Sequence, residues 1–116
     1  MLNIRQSEKT ITVTHHESGA KFTLRPLTPR KYQELQKKSH DKKGGIDAIT
    51  MAGNAAKYII VDWEGVGDEN GEIECSDENR YTFGENLAFH VVPFLIDESM
   101  NFDRYLNDET TAAKNA

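Results

Sequence analysis

Ile46, Ile49, Gly53, Ala56, Ile60 and Trp63 recur at the three- and four-residue steps that keep side chains on one face of an α-helix. No other segment constrains the chain as much. A helix from Ile46 to Trp63 needs cover along its apolar face, which makes it the expected centre of the core. Gly53 and Ala56 are small, so a neighbouring element can approach closely there. Trp63 is expected to close the helix against the core.

The flanking patterns supply that cover. Thr10-Ile11-Thr12-Val13-Thr14 alternates and is β-branched throughout, the pattern of a half-buried strand. After the turn residues Glu17-Ser18-Gly19-Ala20, Lys21-Phe22-Thr23-Leu24-Arg25 alternates again, so residues 10–25 read as a β-hairpin. Thr28-Pro29 combines a good N-cap with a proline tolerated at the first helical position. The helix it opens is expected to reach about Ser39, with Tyr32 and Leu35 inward and Lys37 and Lys38 at the end that favours cations. Ser76-Asp77-Glu78-Asn79 looks like a second helix start. Thr82 with Glu85 fits a capping box. Together they suggest a short turn, then a helix over 83–91 with Leu87, Val91 and Phe83 inward. Pro93 ends that helix or begins another over 93–107. The expected fold is α+β: an N-terminal β-hairpin packed on a mainly α-helical body.

A chain of 116 residues suits one domain, 1–116, with flexible ends at 1–9 and 108–116. The run Tyr58-Ile59-Ile60-Val61 is stopped by Asp62, far short of the roughly 20 residues a membrane span needs. MLNIRQSEKT carries no apolar signal core. A single cysteine, Cys75, rules out an internal disulfide and four-cysteine zinc sites. A cytoplasmic location is expected. Charge is unevenly divided. Residues 1–60 hold eleven Lys/Arg against five Asp/Glu, a net +6, and residues 61–116 hold three against fourteen, a net −11. Such a division suits attraction between the halves, within one fold or between copies. It suits nucleic acid less, because the acidic half repels a phosphate backbone.

Val61 to Glu72, VDWEGVGDENGE, places five carboxylates around the one tryptophan. A calcium loop begun at Asp68 has Asp68, Asn70 and Glu72 at positions 1, 3 and 5. It then has Ile73 where glycine is needed and Asn79 where glutamate is needed. Begun at Asp62, it fails at Val66. Acid–base catalysis needs one carboxyl in an apolar pocket, whereas these lie beside Gly and Asn. The pattern reads instead as a hairpin turned at Asn70-Gly71, with Gly65–Asp68 paired to Glu72–Cys75. His15 and His16 point to opposite sides of a strand end and chelate poorly. The acidic residues before Cys75 raise a thiol pKa rather than activate it. The basic run from Lys37 to Lys43 has no interleaved aromatics and no glycine-rich phosphate loop. No cofactor is indicated.

The chain also resembles the small tail assembly chaperones of long-tailed bacteriophages and prophages. The matching stretches are Phe22-Thr23-Leu24-Arg25-Pro26-Leu27-Thr28, Val61-Asp62-Trp63-Glu64-Gly65-Val66, Asp68-Glu69-Asn70-Gly71, Cys75-Ser76-Asp77-Glu78-Asn79 and the closing Ala113-Lys114-Asn115. They cover about residues 20–100. Asp62, Trp63, Glu64, Gly65, Asn70 and Gly71 form the structural signature, and Pro93 takes the place of the proline-bearing helix that follows in many members. The resemblance implies a non-enzymatic role in the host cytoplasm. Such proteins bind the long, apolar tape measure protein, keep it soluble and help bring tail tube subunits to it. Phe94, Leu95, Phe102, Tyr105 and Leu106 are the expected partner-binding residues, with completion of the core as the competing role. The +6/−11 division would align copies head to tail in open arrays. The alternative expectation is a small nucleic-acid-binding or regulatory module using the basic N-terminal half.

Overall fold

The structure is a computed structural model and describes residues 9–105. The fold is α+β. Strands β1 (Ile11–Thr14) and β2 (Lys21–Leu24) form the expected antiparallel hairpin. Ile11, Val13, Phe22 and Leu24 alternate onto one buried face. Gly19 takes φ 77 in the connection, a conformation glycine adopts without steric cost.

The central helix is shorter than its stripe. Helix α1 (Pro29–Lys38) is followed by α2 (Ala48–Ile59), and the chain then turns into strand β3 (Ile60–Glu64), antiparallel to β2. The sheet order is β1-β2-β3. Two features explain the correction. Ile59-Ile60-Val61 is β-branched, which weakens a helix and suits a strand. β2 also has an open edge whose backbone groups need partners. Pairing there sets Trp63 opposite Phe22 and Ile60 opposite Leu24, across an irregularity at Thr23/Leu24. Ile60 and Trp63 are buried, while Ile46 and Ile49, at the start of the expected stripe, lie exposed. The inward face of α2 is Met51, Ala52, Gly53, Ala55, Ala56 and Ile59.

The element that approaches α2 at its small residues is α3 (Asp77–Asn86). A Cβ placed on Gly84 would lie 2.4 Å from the Ala52 carbonyl oxygen and 2.7 Å from the Gly53 Cα. Two helical backbones meet there with no room for a side chain. Ser76 caps α3, its Oγ accepting from the Asn79 N–H at 3.1 Å. Thr82 therefore falls mid-helix and its capping box with Glu85 is unused. The expected helix over 83–91 is instead the last turns of α3 and a turn segment. Helix α4 (Val92–Met100) begins with Pro93 in its first turn. It breaks at Asn101, and a separate helical turn follows over 102–105; residues 106–107 of the expected 93–107 helix lie outside the described residues. One core cluster joins both layers. Phe83 of α3 stacks in tilted geometry on Phe22 and Trp63 of the sheet, with centroids 5.5 and 5.6 Å away.

Candidate partner-binding groove

The DWEGV…NG stretch builds a corner. After β3, Gly65 turns the chain at φ 76, and its N–H donates to a Glu72 carboxylate oxygen at 2.6 Å. The indole N–H of Trp63 donates to the Ile73 carbonyl at 3.0 Å, so the tryptophan ties β3 to the returning strand while its ring fills the core. Strands β4 (Gly67–Asp68) and β5 (Gly71–Glu72) pair as a hairpin, Asp68 opposite Gly71. The expected pairing of 65–68 with 72–75 shrinks to two residues a side. The turn also shifts by one residue: its centre is Glu69-Asn70, and Gly71 follows with φ 118, while Asn70 keeps a negative φ. The Asp68 carboxylate accepts from the Asn70 N–H at 2.8 Å, a local bond that stabilises the turn without needing positive φ at asparagine.

This corner overhangs α3 and leaves an apolar groove. Two adjoining hollows, of about 270 and 440 Å³, share Val66, Gly67, Phe83 and Leu87. Phe22 and Val91 extend the floor on one side, and Asp68 and Asn79 form polar rim on the other. Phe89 lies two residues from both Leu87 and Val91 and is 70% exposed, the most exposed large apolar side chain among the described residues. A concave apolar surface with a few polar groups at its edge is the usual form of a binding site.

The five expected partner-binding residues do not form one surface. Leu95 and Tyr105 are buried in the core, Phe94 is half-buried against the His15 ring at 6.0 Å, and Phe102 is exposed. Leu106 lies outside the described residues. Tyr105 points its hydroxyl at the Leu24 carbonyl, 3.5 Å away, and burial pushes its pKa up to about 12. The Ser99 hydroxyl opposes that shift, yet Ser99 Oγ meets the geometry of no hydrogen bond and is the one buried unpaired side-chain N/O atom among the described residues. Of the signature residues, Gly65 lines the groove and Trp63 backs it through Phe83. Asp62, Glu64, Asn70 and Gly71 are exposed.

Other candidate chemistry resolves into local structure. His15 Nδ1 is 2.7 Å from Ser18 Oγ, within the β1–β2 connection. Cys75 has a raised pKa, chiefly because of burial rather than its acidic neighbours, with Arg80 opposing the shift. Among the described residues no three His, Cys, Asp or Glu side chains converge as a metal site, and no helix is long and apolar enough to cross a membrane.

Sequence reading missed two features. Phe89 and the groove draw on four separate segments, and only the apolar spacing of Phe83, Leu87 and Val91 hinted at them. The second feature is a basic cleft of about 300 Å³, where Arg25, Lys31, Lys38, Lys57 and Arg80 converge around Tyr58. The seven-residue step from Lys31 to Lys38, which sets both on one face of α1, was the available signal. Comparison with protein-family models, curated proteins and solved structures finds no match to this chain.

Proposed function

We propose that the chain is a non-enzymatic tail assembly chaperone of a long-tailed phage or prophage, holding an apolar segment of the tape measure protein in the Val66–Phe83–Leu87 groove. The observation that carries this reading is the groove itself. It is apolar at its floor, polar at its rim and bordered by Gly65 and Val66 of the DWEGV corner on which the family resemblance rests, and exposed Phe89 follows Leu87 by two residues in the chain. An extended apolar protein awaiting assembly needs such cover, and burial of its side chains supplies about 25 cal/mol per Å² removed from water. Acidic residues of the hairpin keep the loaded complex dispersed. Tail tube protein is the second proposed partner, in the host cytoplasm.

Co-expression with a tape measure fragment tests the reading. The wild-type chain should raise the fragment's soluble yield, and Phe89→Ser, at an exposed position, should remove most of that gain while leaving the circular dichroism spectrum intact. An unchanged yield with the wild-type chain would overturn it. The nucleic-acid module is the second reading, and the basic cleft favours it. A gel shift at low salt separates the two, since absence of binding ends the second.

A further inference from the structure

We propose that the cleft between α1, α2 and α3 is a binding site for a short phosphate oligoanion. Five cations meet there with one lining carboxylate, Asp77, in a chain whose net charge is −5. Gathering like charges in one hollow opposes folding; among the described residues Asp77 offsets Arg80 and Glu34 offsets Lys31, which leaves the cleft net positive.

The cations are held in two ways. Arg80 is fixed by its surroundings: its Nη1 donates to the Cys75 carbonyl at 2.9 Å, its Nε to the Lys57 carbonyl at 3.3 Å, and its Nη2 pairs with Asp77. Arg25 and Lys31 lie over the Tyr58 ring, 5.1 and 4.7 Å from its centroid, an attraction of cation to ring face. Lys31 also reaches Glu34 at 3.5 Å. Lys38 and Lys57 form no ion pair among the described residues, and both are exposed residues that line the cleft. The result is a positioned basic wall with two lysines available to close on a ligand.

Charge and size select the ligand class. A single carboxylate meets one or two of these cations, whereas a chain of two or three phosphoryl groups carries charge comparable to the whole cleft. Guanidinium forks and lysine ammonium groups are the usual donors to such oxygens. The Tyr58 face is already occupied by Arg25 and Lys31, so a base has no open ring to stack on. The cleft, of about 300 Å³, holds only a few phosphoryl groups, and a longer phosphate polymer would carry its charge past it in a chain whose net charge is −5. A short oligoanion avoids the resulting repulsion.

Titration calorimetry of the full chain with inorganic triphosphate at low ionic strength tests the site. Saturable binding is expected, weakening as salt rises. Lys38→Gln and Lys57→Gln should each weaken it about tenfold, the loss of one charge-assisted contact. Lys42→Gln with Lys43→Gln, in the exposed loop before α2, should leave it unchanged. All four lysines are exposed, and circular dichroism checks that each variant folds. Equal affinity for a nucleoside triphosphate supports recognition of the phosphates alone. No binding at low salt, or equal loss in the loop variant, overturns the proposal. Tighter binding of a single-stranded oligonucleotide that also depends on Lys42 and Lys43 assigns the surface to nucleic acid and overturns it. Self-association weakened by Lys38→Glu, with no triphosphate binding, gives the cleft to the acidic face of a second copy and overturns it too.

Discussion

Helix α3 serves two hollows of opposite character. Toward its end Phe83 and the following Leu87 line the apolar groove, and at its start Asp77 and Arg80 line the basic cleft. The groove is a place where the core remains uncovered: its floor residues continue the cluster that buries Phe22 and Trp63. The cleft is a place where solvated charge is brought together by helices that meet for other reasons. One surface is suited to apolar burial and the other to Coulombic attraction, so salt, mutation and pH should separate them.

The largest effect should come from the seam that builds both. Gly84→Ala puts a methyl group 2.4 Å from the Ala52 carbonyl oxygen, against backbone that has no rotamer to yield. Overpacking of this kind costs about 1–3 kcal/mol, and the upper end is expected here, with a fall in Tm of roughly 10 °C and loss of both surfaces together. Gly53→Ala should be milder, since its nearest obstruction is the movable Tyr81 ring at 2.8 Å. Thermal melts of the pair check the order, and equal Tm values would contradict the close approach.

Tyr105 offers a change that touches neither hollow. Its pKa is raised to about 12 by burial, against about 10 when unfolded. The folded state therefore holds the proton more tightly. Stability is fully present below pH 10 and falls as pH rises toward 12. Denaturant melts should show that fall in the wild type and a smaller one in Tyr105→Phe.

Trp63→Phe keeps a ring but removes the bond to the Ile73 carbonyl. It should cost about 1–2 kcal/mol, weaken binding of an apolar segment and leave triphosphate binding unchanged. Loss of both activities would break the division between the surfaces. The smallest effect is expected at Asp47, the N-cap of α2, whose pKa is lowered first by the Thr50 backbone N–H. A depressed carboxylate contributes stability above its unfolded pKa and loses it as pH falls through the folded one. Asp47→Ala should flatten that acid limb slightly in pH-resolved melts.

Local signals carried the elements that depend on neighbours in sequence. Thr28 accepts from the Lys31 N–H at 3.0 Å, and Ser76 and the β1–β2 alternation behave as their patterns imply. Signals failed where tertiary partners compete. The 46–63 stripe could not reveal that β2 offers Ile60 and Trp63 an edge to pair with. The turn at Asn70-Gly71 could not reveal the Asp68 bond that shifts it to Glu69-Asn70. The aromatic run from Phe94 onward could not reveal that Leu95 and Tyr105 are needed inside. Both hollows were illegible for the same reason: Val66 and Leu87 come to line one hollow, and Arg25 and Arg80 the other, only after the chain has folded.

The most direct measurement is a map of backbone amide shifts as an apolar tape measure peptide is titrated into the isotope-labelled chain. Perturbations should gather at Val66, Gly67, Phe83, Leu87 and Phe89, persist as salt is raised, and spare Lys31, Lys38 and Lys57. Shifts centred on the three lysines, or none at saturating peptide, would contradict the groove as the partner site.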